Sequence, residues 1–172
     1  DLDAVMAVVP YYNKPPQSGL VAHFEAIADA SPRPLIVYNV PSRTVAELTV
    51  ESMLTLANHP NVVAFKEAST NMLNDALLVD GAPARTRLFS GDDATALAFI
   101  GVGGHGVISV VGNMAPAWVS GMCAAALAGD FVTARTLNAR IARLHQLMFR
   151  QPSPAPLKAA LEWLGFGPQR LR

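Results

Sequence analysis

The sequence is poor in several things, and each shortage narrows what it can be. Cys123 is the only cysteine among 172 residues, so no disulfide can form within the chain, and a reducing, cytoplasmic setting is expected. It sits in Met122-Cys123-Ala124-Ala125-Ala126-Leu127, with nothing nearby to stabilise a thiolate, so a packed thiol is expected and not a nucleophile. Charged residues make up only 15% of the chain, and 13 basic residues balance 13 acidic ones. Zero net charge argues against nucleic acid or an anionic membrane as the main partner. Arg135, Arg140, Arg143 and Arg150 fall along one helical pattern and read as a solvated face. No apolar run is long enough to span a membrane, and no signal-peptide pattern is present. The first residue is Asp1 and not Met, in mid-pattern, which suggests a fragment or a processed product.

What the chain does have is apolar material, 51% of its residues, enough for a proper core. Five short apolar runs read as strands: Ala4–Tyr12, Leu35–Val40, Val62–Ala68, Arg87–Gly91 and Gly106–Val111. Helical patterns lie between them at Ser18–Ala30, Val50–Asn58, Asn71–Val79 and Ala94–Ile100, the last with Asp93 as the expected cap. In the first, Leu20, Phe24 and Ile27 share one stripe. This rhythm implies parallel strands joined by crossover helices. After the fifth strand the pattern turns wholly helical: Pro116–Ala128, Phe131–Arg150 (with Leu137, Ile141, Leu144 and Met148 on one face) and Pro156–Leu164. Residues 1–113 are therefore expected to form the α/β part and 114–172 a helical appendage. Five units fit either part of a (β/α)8 barrel or a complete open sheet, so the count alone does not decide.

Polar residues at the strand ends carry the chemistry. The third run ends in Phe65-Lys66-Glu67, and a lysine closing an apolar strand is unusual. Burial without a carboxylate partner disfavours the ammonium and yields a nucleophilic amine suited to Schiff-base formation. The alternative is that Lys66 pairs with Glu67 or with an acid on a neighbouring strand. The first run ends in Pro10-Tyr11-Tyr12-Asn13, the second in Tyr38-Asn39-Val40-Pro41-Ser42-Arg43-Thr44, and the fourth in Ser90-Gly91-Asp92-Asp93. In α/β barrels such ends converge on the active site; tyrosine can relay protons there, and arginine can grip a carboxylate. Gly101-Val102-Gly103-Gly104-His105-Gly106 matches a dinucleotide-binding pattern, but it enters a strand where that motif must open a helix. The Asp92–Asp93 pair and the scattered histidines lack metal-ligand spacing, so neither metal nor cofactor is expected.

PYYNKPPQSGL, YNVPSRT, FKEAST, SGDD and GGHGVISV together resemble the dihydrodipicolinate synthase family, of the N-acetylneuraminate lyase superfamily, with motif order and spacing kept along nearly the whole chain. The resemblance implies a (β/α)8 TIM barrel, of which this chain carries strands four to eight, with a C-terminal helical extension. It implies a lyase that condenses pyruvate with aspartate semialdehyde to 4-hydroxy-tetrahydrodipicolinate on the lysine and diaminopimelate pathway. Lys66 is then the Schiff-base lysine and Tyr38 the relay tyrosine. Tyr12 reaches into the neighbouring subunit of a tight dimer, so a homodimer or homotetramer is implied. Arg43 binds the carboxylate of aspartate semialdehyde, and Ile108 and Gly91 line the pyruvate pocket, Ile108 through its backbone. Two other readings are a related pyruvate aldolase acting on a different acid and an inactive truncated chain.

The sequence also departs from the family pattern. The family's Gly-Thr-Thr-Gly-Glu segment, which supplies the relay threonine, has no counterpart here, so this chain alone is expected to be inactive. Val45 stands where glycine usually follows the Arg-Thr pair, and Ser69 replaces a threonine.

Overall fold

The structure, a computed structural model, describes residues 2–168, 170 and 171. Five strands, β1 (Val5–Val8), β2 (Leu35–Asn39), β3 (Val62–Glu67), β4 (Arg87–Ser90) and β5 (Gly106–Val107), lie side by side in sequence order. Every neighbouring pair is parallel. A doubly wound sheet would reverse strand order at a switch point. Here there is no reversal, and the sheet follows the strand order of a barrel wall.

Helices α1 (Gln17–Ala30), α3 (Val50–Ala57), α4 (Met72–Gly81) and α5 (Ala96–Gly101) occupy the crossovers, and a short α2 (Pro41–Thr44) follows β2 directly. Leu20, Phe24, Met53, Leu56 and Leu78 bury against Leu35, Val37, Phe65 and Leu88 of the strands. A second apolar cluster forms where α6 (Pro116–Leu127), α7 (Phe131–Met148) and α8 (Ala155–Trp163) pack on α5. In α7 the expected stripe is realised: Ile141 and Met148 are buried, and Leu137 and Leu144 are half-buried. The four arginines of that segment are exposed, as a solvated face requires. No helix among the described residues is long and apolar enough to cross a membrane.

Two strands are shorter than the apolar runs suggested, each for a specific reason. β1 stops at Val8 and not Tyr12. Val9 still donates to the Tyr38 carbonyl, but Pro10 has no N–H to continue the ladder. β5 stops at Val107 and not Val111. The Ile108 amide still reaches the Ser90 carbonyl at 2.9 Å, but the Val110 and Val111 amides turn to the Asp93 carboxylate at 3.0 and 3.1 Å. Asp93 is therefore not a helix cap. Asp92 takes the local role by accepting from the Thr95 amide and hydroxyl, and α5 begins only at Ala96.

Val45 ends α2 in the left-handed conformation, with φ +53°. This accounts for the glycine usual at that position, because a β-branched residue is poorly tolerated there.

Asp75 lies almost fully buried on α4, and among the described residues its Oδ1 has no hydrogen-bond partner. Desolvation first, and the nearby Glu67 second, push its carboxyl up to about 7. The folded chain therefore holds this proton more tightly than the unfolded one does. The stabilisation is full below about pH 4, the unfolded carboxyl value, and is lost as pH rises through about 7. Asp75→Asn should flatten this part of the stability profile in urea unfolding between pH 4 and 8. An unchanged slope in the variant would show that Asp75 titrates normally.

Candidate active site

The sheet register brings the candidate residues together. Tyr38 of β2 lies level with Lys66 of β3, and Lys66 with Phe89 of β4. One residue further along, Asn39, Glu67 and Ser90 form the next row. Side chains alternate across a strand, so the two rows face opposite ways. Lys66 and Tyr38 line a cleft with Arg43, Gly91, Ser42, Thr70 and Asp92. Asn39, Glu67 and Ser90 are buried.

The buried row disposes of the simplest alternative for Lys66. Glu67 does not pair with it: Glu67 Oε2 accepts from Asn39 Nδ2 at 2.8 Å, and Oε1 accepts from the Ser69 amide. Asn39 in turn accepts the Leu48 amide, tying β2 and β3 to the segment after α2. Among the described residues, no carboxylate lies within ion-pair distance of Lys66.

The Lys66 ammonium is half-buried and stands 4.1 Å from the centroid of the Tyr38 ring. Desolvation lowers the amine below the usual lysine value, partly opposed by the negative charge of Asp93. Burial raises the Tyr38 phenol, and Arg43 counteracts this in part, so the phenol stays protonated and able to donate at neutral pH. Arg43 lies on α2, the single turn that immediately follows β2, where its amide bonds the Val40 carbonyl at 2.8 Å. Its guanidinium reaches the cleft with no ion pair among the described residues. The cleft encloses about 200 Å³, less than the roughly 300–1,000 Å³ of sites for drug-sized ligands. An amine, a phenol and a guanidinium line this small space.

Gly91 explains how the loop after β4 approaches so closely. A Cβ there would stand 2.7 Å from the Ala68 Cβ and 3.1 Å from both Cγ and Cε of Lys66. The Gly91 amide bonds the Glu67 carbonyl at 2.6 Å. Ile108 does not line the cleft directly, and its backbone is tied to Ser90, one residue before Gly91. Tyr12 projects from the loop after β1, 93% exposed, away from the two clefts that Tyr38 lines. Tyr11, its neighbour, instead lines an adjoining apolar hollow with Met6, Val8 and Tyr38.

A parallel barrel wall with a half-buried lysine at a strand end, unpaired among the described residues, defines the chain as an α/β-barrel protein with polar side chains gathered at the strand ends. The chain belongs to the Dihydrodipicolinate synthetase family, whose sequence profile it matches over residues 2–172. It is 47% identical over 170 residues to the 4-hydroxy-tetrahydrodipicolinate synthase of Nitrosomonas eutropha, covering 99% of this chain and 58% of that protein. The chloride-inhibited dihydrodipicolinate synthase of Acinetobacter baumannii, solved with pyruvate, superposes with a TM-score of 0.95 at 42% identity. That alignment covers 99% of this chain and 58% of the other. A monomeric dihydrodipicolinate synthase variant superposes at 0.94 with 34% identity, covering 99% and 58% respectively. The chain thus spans a little over half the length of the relatives it matches. These neighbours agree with the arc of barrel wall seen here.

Phe149 and Ser153, just beyond α7, also line the cleft. No local pattern in the sequence marked them, because tertiary packing alone brings the helical segment over the strand ends.

Gly91→Ala should destabilise the chain by about 1–3 kcal/mol through overpacking and slow reductive alkylation of Lys66 by a small aldehyde. Lower stability with an unchanged Lys66 rate would confine Gly91 to a packing role.

Proposed function

We propose that the protein is a Schiff-base lyase that condenses pyruvate with aspartate semialdehyde to 4-hydroxy-tetrahydrodipicolinate, within lysine and diaminopimelate biosynthesis. The observation that carries this reading is the Lys66 amine: desolvated, without a carboxylate partner among the described residues, and facing a small cleft shared with Tyr38, Arg43 and Gly91. The family and the pyruvate-bound relative support the same substrate class.

In this reading Lys66 adds to the ketone carbon of pyruvate, and water leaves to give an iminium. The iminium draws electrons, so a methyl proton is lost and an enamine forms. The enamine carbon attacks the aldehyde carbon of aspartate semialdehyde, whose oxygen takes up a proton. The substrate's amine then closes on the imine carbon, expels Lys66 and completes the ring. Tyr38, a phenol beside the amine, passes protons in these steps. Arg43 holds the carboxylate of the second substrate, and Gly91 and the Ile108 backbone shape the pyruvate end. No cofactor is required, since the lysine itself provides the electron sink. Residues 1–113 act as barrel wall and 114–172 as a helical extension that contributes Phe149 and Ser153. Tyr12, outward-facing and exposed, serves the site of a neighbouring subunit in a cytoplasmic homodimer or homotetramer.

Borohydride reduction of the full-length protein in the presence of pyruvate should fix the adduct on the peptide carrying Lys66, and Lys66→Ala should abolish it. An adduct on Lys14 or Lys158 would overturn the assignment.

Arg43→Ala should leave pyruvate trapping intact while turnover with aspartate semialdehyde falls about ten- to a hundredfold, the worth of one charge-assisted pair. Loss of trapping in that variant would assign Arg43 to pyruvate instead.

A further inference from the structure

Behind the cleft stands a polar cluster for which the proposed reaction has no use. His145 on α7 is half-buried, with Nε2 3.6 Å from Asp92 Oδ1 and Nδ1 3.9 Å from Asp93 Oδ2. Its ring lies on that of Phe149, with centroids 4.4 Å apart, and both Phe149 and Asp92 line the Lys66 cleft. Asp93 is 2% exposed; it accepts from the Ser109 hydroxyl and from the Val110 and Val111 amides. A buried carboxylate so held keeps its charge. Burial would raise it, but the contacts from His145, Ser109 and the two amides outweigh that and hold it below the usual range. The Asp93 charge also opposes the lowering of the Lys66 amine. Two carboxylates and one imidazole thus share a space next to an amine that must be free to react.

We propose that His145 is a positioning residue of the Lys66 site, whose imidazolium, set between Asp92 and Asp93 behind the cleft, offsets their charge where it would otherwise reach the lysine. The inference rests on the Schiff-base reading above. Its geometry is that of a cation set between two acids of the loop that also carries Gly91. The protonation state agrees: contact with Asp93 first, and the charges of Asp92 and Asp93 after it, raise the imidazole against the opposing effect of burial. The titratable groups facing His145 among the described residues are Asp92 and Asp93. Those facing Lys66 are Tyr38 and Asp93, with Arg43 lining the same cleft. Among the described residues Nδ1 of His145 has no hydrogen-bond partner, so the ring acts on Asp93 through its charge across 3.9 Å and not through a formed hydrogen bond.

If the imidazolium is removed, two carboxylate charges remain uncompensated and favour the Lys66 ammonium. The pH at which imine forms should therefore rise. In the full-length protein, the rate of borohydride-trapped pyruvate adduct at Lys66 is measured from pH 5 to 10 for the wild type and for His145→Gln, which keeps a side-chain donor but no charge. The proposal expects the half-maximal pH of the variant to lie higher by about 0.5–1 unit, a three- to tenfold loss of rate near neutrality. An unshifted profile in a folded variant overturns it, while a purely structural role predicts a uniform loss at every pH. Should the variant not fold, the imidazole is titrated by NMR in the wild type. The charged ring persisting through pH 7 supports the proposal, and a ring already neutral at pH 6 overturns it. Absence of adduct in the wild type would instead remove the Schiff-base reading on which it rests.

Discussion

The structure depends on placing a primary amine at the end of a strand that is otherwise apolar. Val62, Ala64 and Phe65 are buried, so the sheet leaves Lys66 little water and, among the described residues, no carboxylate to pair with. An ammonium in that position loses solvation, and its charged form is disfavoured. What limits the effect is also built in: the face of Tyr38 attracts a cation, and the Asp93 charge acts in the same direction. The amine is therefore held between two tendencies, with desolvation the stronger.

Much of the surrounding architecture keeps other acids from relieving that tension. Glu67, the adjacent residue, faces the opposite side of the sheet, where Asn39 and the Ser69 amide occupy both of its oxygens. Burial raises the Glu67 carboxyl, though those hydrogen bonds oppose the rise. Asp93 is anchored by Ser109 and by the amides after β5, which ends that strand early and stitches the loop after β4 to its neighbour. Strand termination and site electrostatics are two consequences of the same carboxylate.

The alternation of parallel strands with crossover helices and the lysine at the third strand's end were legible in the sequence because both are local signals, whereas the barrel order of the strands was implied only by the family resemblance. Apolar runs spaced by helical stripes specify the crossovers, and Lys66 stands out by interrupting such a run. The positions of Tyr38, Arg43 and Gly91 followed, since each closes its own strand or the turn just after it. Asp93 was misread as a cap because a carboxylate ahead of a helical pattern usually is one; its actual partners lie sixteen to eighteen residues away. His145 and Phe149 were unreadable for the same reason, as only the packing of α7 carries them to the cleft. The strand lengths were overstated because hydropathy does not reveal where Pro10 or a competing carboxylate ends the ladder.

The most direct test of this account is the titration of the Lys66 amine itself, followed by NMR after isotope labelling of the lysine side chains. The account predicts that Lys66 loses its proton below the ordinary lysine value of about 10.4, and that neutralising Asp93 lowers it further. A Lys66 that titrates at or above that value would contradict it.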